Sequence, residues 1–134
     1  MPVGGVKFLK IGDVEVPVSS QEIRITDPET GGQKGQKPER YDLLPYTSLA
    51  AIARVYNYGA EKYNDPEVGP HNWRRGYKWS LSYAALMRHL TQWWEGEDMD
   101  KESGHSHLAH AGWHILTLIW FTLRKPELDD RCKL

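Results

Sequence analysis

The chain has a single cysteine among its 134 residues, Cys132, in a charged tail. One thiol excludes an internal disulfide and a zinc site built on several thiolates. There is no run of 18 apolar residues, so no membrane-spanning helix is expected; the longest apolar stretch, residues 115–123, is too short to cross a bilayer. The first residues, Met1-Pro2-Val3-Gly4-Gly5, lack the charged and apolar regions of a secretory signal, and a cytosolic location is the expectation. Excess charge is also missing. A net charge of −1 speaks against a general binder of nucleic-acid polymers, which usually carries a strong basic surplus. Three catalytic signatures are absent: Gly-x-Ser-x-Gly, His-Glu-x-x-His and the His-Asp dipeptide. Cys132 has no obvious base beside it and is a poor nucleophile candidate.

What is present fits one domain of ordinary size over residues 1–134, with 40% apolar residues to build a modest core. Residues 8–18 alternate apolar and polar around Gly12-Asp13, the pattern of a β-hairpin with a two-residue turn, and residues 22–26 alternate again. Residues 1–26 are therefore expected to form a hairpin and strand arm. Glycines and prolines mark residues 27–45 as a loop rich in Gly and Lys. Residues 46–125 carry three helical patterns. The first has Leu49, Ile52, Tyr56, Ala60 and Tyr63 on one face, with Thr47 or Ser48 as cap. The second is capped by Ser80, carries a stripe of Tyr83, Leu86, Met87, Leu90 and Trp94, and ends near Gly96. The third runs over about 105–124 and stops before Pro126. It is apolar nearly all round after Ala111, which predicts burial at a bundle centre or a subunit interface. Three helices leave little interior to hide such a surface, so a homo-oligomer is expected. The fold class is mainly α, a helical bundle with a small N-terminal β-hairpin.

The stretch most suited to chemistry joins the second and third helices. Glu95, Glu97, Asp98, Asp100 and Glu102 lie within a few residues of His105, His107 and His110. His107, His110 and His114, spaced i, i+3 and i+7, share one side of the third helix. Carboxylates suit Mg²⁺ and Mn²⁺, imidazoles the later transition metals, and the mixed set leaves Mn²⁺, Fe²⁺ and Zn²⁺ open. The same acids would also favour a helix N-terminus, each by about 0.3–1 kcal/mol. Lys34, Lys37 and Arg40 gather around Gly31-Gly32 and Gly35, which suits phosphate or simply a solvated loop; the Gly-Lys-Ser/Thr of a P-loop is missing. In His71-Asn72-Trp73-Arg74-Arg75, Trp73 could stack on a base, Asn72 read its edge and Arg74 meet phosphate, or the segment could plug the core. Trp93, Trp94, Trp113 and Trp120 fit a helix core or interface. Arg88 and His89 flank the second helix, and a buried Arg88 would need the acid cluster as its partner.

Seven motifs stand in order: Thr30-Gly31-Gly32-Gln33-Lys34-Gly35, Tyr41-Asp42-Leu43-Leu44-Pro45, Gly59-Ala60-Glu61-Lys62-Tyr63, Asn72-Trp73-Arg74-Arg75-Gly76, Arg88-His89-Leu90, Gly96-Glu97-Asp98-Met99-Asp100 and His107-Leu108-Ala109-His110. Over residues 23–123 the chain resembles the phage dATP/dGTP diphosphohydrolase family, considered MazG-like. The resemblance implies an all-α nucleoside triphosphate pyrophosphohydrolase, dimeric or tetrameric, that uses Mg²⁺ or Mn²⁺ to split a dNTP into monophosphate and pyrophosphate. It implies that Glu97, Asp100, Glu102, His107 and His110 hold metal, with Glu97 or Asp100 orienting the water. Lys34, Lys37, Arg40, Asn72, Trp73, Arg74, Arg88 and His89 would then bind substrate. MazG-type enzymes carry Glu-x-x-Glu and Glu-x-x-Asp where this chain has His89-x-x-Gln92 and His107-x-x-His110.

Two functions follow. The first is metal-dependent dNTP hydrolysis that shapes a phage nucleotide pool, favouring dGTP or dATP. The second is a binding module that keeps the pocket without the carboxylates and sequesters a nucleotide immune signal.

Overall fold

A computed structural model describes residues 7–11, 14–18 and 22–133. The chain falls into two compact units that divide between Leu44 and Pro45. In the first, strands β1 (Lys7–Ile11) and β2 (Val14–Val18) pair antiparallel, with Lys7 opposite Val18 and Ile11 opposite Val14. The expected turn residues Gly12 and Asp13 lie outside the described residues, as does the N-terminal segment read for a secretory signal. Strand β3 (Ile23–Thr26) pairs antiparallel with β4 (Gln33–Gln36). The stretch expected to be loop therefore contains a strand. Its glycines and lysines obscured the pattern, and the pairing is set by the turn before it. There Asp27 Oδ1 accepts the backbone N–H groups of Glu29 and Thr30 at 2.8 and 2.9 Å, while the Asp27 N–H donates to the Gly32 carbonyl at 2.8 Å. An aspartate that binds its own turn in this way is a strong local nucleus.

The second unit is three helices, α1 (Tyr46–Lys62), α2 (Trp79–Trp94) and α3 (His107–Arg124), with α3 packed on both others. The periodic apolar positions predict all three. Small residues let the backbones approach. A Cβ added to Gly112 of α3 would stand 2.6 Å from Ile52 Cδ1 of α1. Val55, Trp79, Ala109, Ala111 and Phe121 form the buried apolar core.

The caps differ from the sequence reading. Neither Thr47 nor Ser48 caps α1; Pro45 holds the cap position without a side-chain bond. Ser80 lies inside α2, and its backbone N–H and hydroxyl are both bound by the Asp130 carboxylate. An acid from the C-terminal tail thus serves the first turn, where the helix dipole favours negative charge. On α3 the capping residue is Ser106, whose Oγ accepts from the N–H groups of Leu108 and Ala109. Glu102 takes no part in that cap. Outward from the core, α3 leaves Leu108, Ile115, Leu116 and Ile119 exposed, so the helix is only half covered by its neighbours.

Candidate functional site

A cleft of about 490 Å³ opens in the helical unit, lined by α1, the 63–78 segment, α2, α3 and two acids of the 95–106 loop. One part of its wall is aromatic. Trp73 stands edge-on to Tyr56 at 5.7 Å and to Trp120 at 5.0 Å, and Tyr56 packs on Trp113 at 5.3 Å. The loop that delivers Trp73 is organised around Asp65. Its nearly buried carboxylate binds the Arg75 guanidinium, the Asn72 amide and the backbone of Glu67 and Val68. The Arg75 hydrogen bonds first, then those of Glu67 and Asn72, hold Asp65 far below the usual carboxylate range.

The other part is polar. The 95–106 loop is folded tightly by a bridge between Met99 and Ser106 and by Asp100 N–H donating to the His105 carbonyl at 2.8 Å. Gly104 permits this with φ of +75°, a left-handed conformation that side chains resist. The loop thereby presses its acids against histidines from α2 and α3. His89 and His107 meet with their Nδ1 atoms 2.9 Å apart, and the Nε2 atom of fully buried His107 lies 3.0 Å from a Glu97 oxygen. His110 stacks on His89 with centroids 4.4 Å apart, and its Nε2 lies 2.6 Å from Ser103 Oγ and 3.7 Å from Asp100 Oδ2.

Burial acts on these groups in opposite directions. It pushes His89 below its ordinary value, partly opposed by Asp100. Burial first, then the charge of His89, brings His110 and His114 each down to about 4. For Asp100 burial pulls upward, but hydrogen bonds from Ser103 and the charges of His110 and His89 outweigh it and keep the carboxyl below its ordinary value. At neutral pH the cluster therefore offers neutral His89 and His110 imidazoles and an ionised Asp100 carboxylate.

These are the protonation states a cation requires. His89, Asp100 and His107 each turn a donor atom to one place, all within 4.8 Å of one another. Two imidazole nitrogens and one oxygen fit Mn²⁺, Fe²⁺ or Zn²⁺ better than Mg²⁺, which prefers oxygen. A Glu97 oxygen at the far nitrogen of His107 fixes the ring and leaves Nδ1 as the donor, as carboxylates do behind many histidine ligands.

The residues singled out in the sequence divide accordingly. His89, expected at the substrate, stands among the candidate cation donors. Asp100 and His107 are with it, Glu97 supports His107, and His110 faces Ser103 and Asp100. Glu102 lies apart from these donors, at the cleft wall, bound by Lys62 at 2.8 Å. Arg88 is exposed, lines the cleft and forms no ion pair among the described residues, which corrects the expectation of a buried Arg88 tied to the acid cluster. Arg74 lies over the Trp73 ring at 5.3 Å. Asn72 lines the cleft, with its amide committed to Asp65. Lys34, Lys37 and Arg40 border a shallow hollow of the first unit, where Arg40 is paired with Asp42 at 2.7 Å. Sequence reasoning assigned Trp113 to the core or an interface, whereas it lines the cleft. Tyr77 and Ser82 carried no signal, since their roles come from contacts across the fold.

A family model described as dATP/dGTP diphosphohydrolase, N-terminal, matches residues 28–131. A dATP/dGTP diphosphohydrolase of Salmonella phage PMBT28 is 34% identical over 102 residues, which make up 76% of this chain and 33% of the relative. The chain thus spans about a third of the length of that relative. No solved structure matches it.

Proposed function

The chain belongs to the dATP/dGTP diphosphohydrolase, N-terminal, family, and on that premise we propose that its helical cleft takes up a purine deoxynucleoside triphosphate and hydrolyses it to monophosphate and pyrophosphate. The observation that carries the reading is the convergence of His89, Asp100 and buried His107 beside a cleft that His89 and Asp100 line, and that also has aromatic walls and an Arg88 with no ion pair among the described residues. Trp73 and Trp113 offer faces to a base. Arg88 offers a planar guanidinium to the phosphates. A divalent cation held by His89, Asp100 and His107, Mn²⁺ ahead of Mg²⁺, would supply positive charge to the phosphate oxygens.

Asp100 lines the cleft and is the carboxylate suited to take a proton from an attacking water, while Glu97 keeps His107 in place. The water oxygen bonds to the α-phosphorus as the bond to the pyrophosphate oxygen breaks, and Arg88 meets the charge of the departing pyrophosphate, to which a cation held by His89, Asp100 and His107 would add positive charge. The exposed apolar residues of α3 support a homo-oligomer, dimeric or tetrameric. In a phage such an enzyme would deplete dATP or dGTP.

The replacement of acids by His89, Gln92, His107 and His110 favours a second reading, a cleft that retains a nucleotide without turnover. One experiment separates the two. The protein is incubated with each dNTP in Mn²⁺, Mg²⁺ or EDTA and the products are resolved by chromatography. Monophosphate with pyrophosphate, lost in EDTA and in Asp100→Asn, is the expected result. Intact nucleotide under all conditions overturns hydrolysis, and a nucleotide still retained by the protein would then favour sequestration.

A further inference from the structure

Deep in the helical unit, one polar chain is not used by the reaction above. Ser82 of α2 is 1% exposed, and its Oγ lies 2.6 Å from the Tyr77 hydroxyl and 3.0 Å from His114 Nδ1. Tyr77 and His114 line the cleft; Ser82 lies behind them. The other ring nitrogen of His114, Nε2, has no hydrogen-bond partner among the described residues. His114 packs edge-on to Trp113 at 4.8 Å, and both rings belong to the cleft wall, where an aromatic base would rest.

The protons in this chain can be counted. Ser82 is the one partner of the half-buried Tyr77 hydroxyl among the described residues, and a buried donor left unpaired is costly. Tyr77 therefore donates to Ser82. Ser82 has one proton of its own, and His114 Nδ1, lying 3.0 Å away, is the acceptor for it. A neutral imidazole that accepts at Nδ1 carries its proton on Nε2. A ring of the cleft wall thus carries a fixed N–H donor, its orientation set from behind by Ser82.

We propose that His114 is the specificity-determining residue for the base: its Nε2–H donates to N7 of a purine, with Ser82 and Tyr77 as positioning residues that hold the tautomer. This rests on the nucleotide reading above. The chemistry selects a class rather than one base. N7 is an acceptor shared by adenine and guanine and absent from cytosine and thymine. A donor aimed at N7 accepts both purines and disfavours pyrimidines, whereas a site that read the exocyclic groups would divide adenine from guanine.

The test compares dGTP and dATP with 7-deaza-dGTP and 7-deaza-dATP, in which a C–H replaces N7, by titration calorimetry with Ca²⁺ present. For the unaltered protein we expect the deaza nucleotides to bind about 3- to 10-fold more weakly, the worth of one neutral hydrogen bond. In His114→Ala the ratio should fall to one. Tyr77→Phe keeps the ring that packs edge-on to Phe121 at 5.0 Å but frees Ser82 to turn, and should narrow the ratio while the melting temperature stays nearly unchanged. Equal binding of purine and deazapurine by the unaltered protein overturns the inference and leaves the nucleotide cleft standing. A ratio that persists in His114→Ala overturns it as well. Absence of binding by every nucleotide overturns the cleft reading itself.

Discussion

His89 on α2 and His107 on α3 face each other Nδ1 to Nδ1 at 2.9 Å. Two imidazole nitrogens at that distance share one proton or one cation, and in either case the contact ties two helices together. On the proposed reading, the tie lets a cluster poor in carboxylates hold a cation. A cation held there would therefore couple to the packing of the two helices.

The first prediction concerns that coupling. Mn²⁺ should raise the melting temperature, because a ligand bound only by the folded state stabilises it by about 2.7 kcal/mol at a hundred times its Kd. Asp100→Asn should abolish the rise. Glu97→Gln should weaken Mn²⁺ binding about 10- to 100-fold through the loosened His107 ring. Thermal melts and calorimetry with Mn²⁺ and with EDTA check all three; an unchanged Mn²⁺ affinity in both variants would remove the cluster as a cation site.

Arg88 should distinguish phosphate from base. It is exposed in the cleft and has no ion-pair partner among the described residues, so Arg88→Ala leaves no buried charge behind. We expect dGTP binding to weaken about 10- to 100-fold, the worth of charge-assisted hydrogen bonds. Deoxyguanosine binding should not change. Quenching of tryptophan fluorescence, with Trp73 and Trp113 in the cleft wall, reports both.

Stability should fall on the acid side of neutrality. His110 and His114 titrate near 4 in the folded protein, against an ordinary value of 6.5. Between those values the unfolded chain binds more protons, so acid favours unfolding. The contribution is complete above pH 6.5 and is lost as pH falls toward 4, on the order of 3 kcal/mol for buried His110. Urea denaturation of metal-free protein from pH 8 to pH 4 measures the slope. His110→Gln should flatten it, and an unchanged slope would show that His110 is not held neutral by burial.

The open face of α3 predicts assembly. Ile115 and Ile119 are 47% and 54% exposed, one turn apart on the same side. Charged residues there would be unfavourable in a subunit interface and harmless on a free surface. Ile115→Glu with Ile119→Glu should convert an oligomer to monomer by light scattering, with helical content retained by circular dichroism. A monomer already in the unaltered protein would refute the interface.

Much of this was legible in the chain itself. Local periodicity is a backbone property, so the three helices and the β1–β2 pairing could be read from apolar spacing. The i, i+3, i+7 placement of His107, His110 and His114 likewise required only the helical repeat. Proximity in sequence also brought the 95–102 acids beside the histidines. What could not be read locally was where each side chain would find its partner. The packing of α2 on α3 brought His89 from an assumed substrate contact to the Nδ1 of His107. Lys62, forty residues away, drew Glu102 off the cluster, and Asp130 took over the first turn of α2. Ser82 and Tyr77 became meaningful only when the fold set them behind His114. Hydrogen bonds and desolvation act through space between residues distant in the chain, so tertiary structure alone decided which of many histidines and acids share one cleft and in which protonation state.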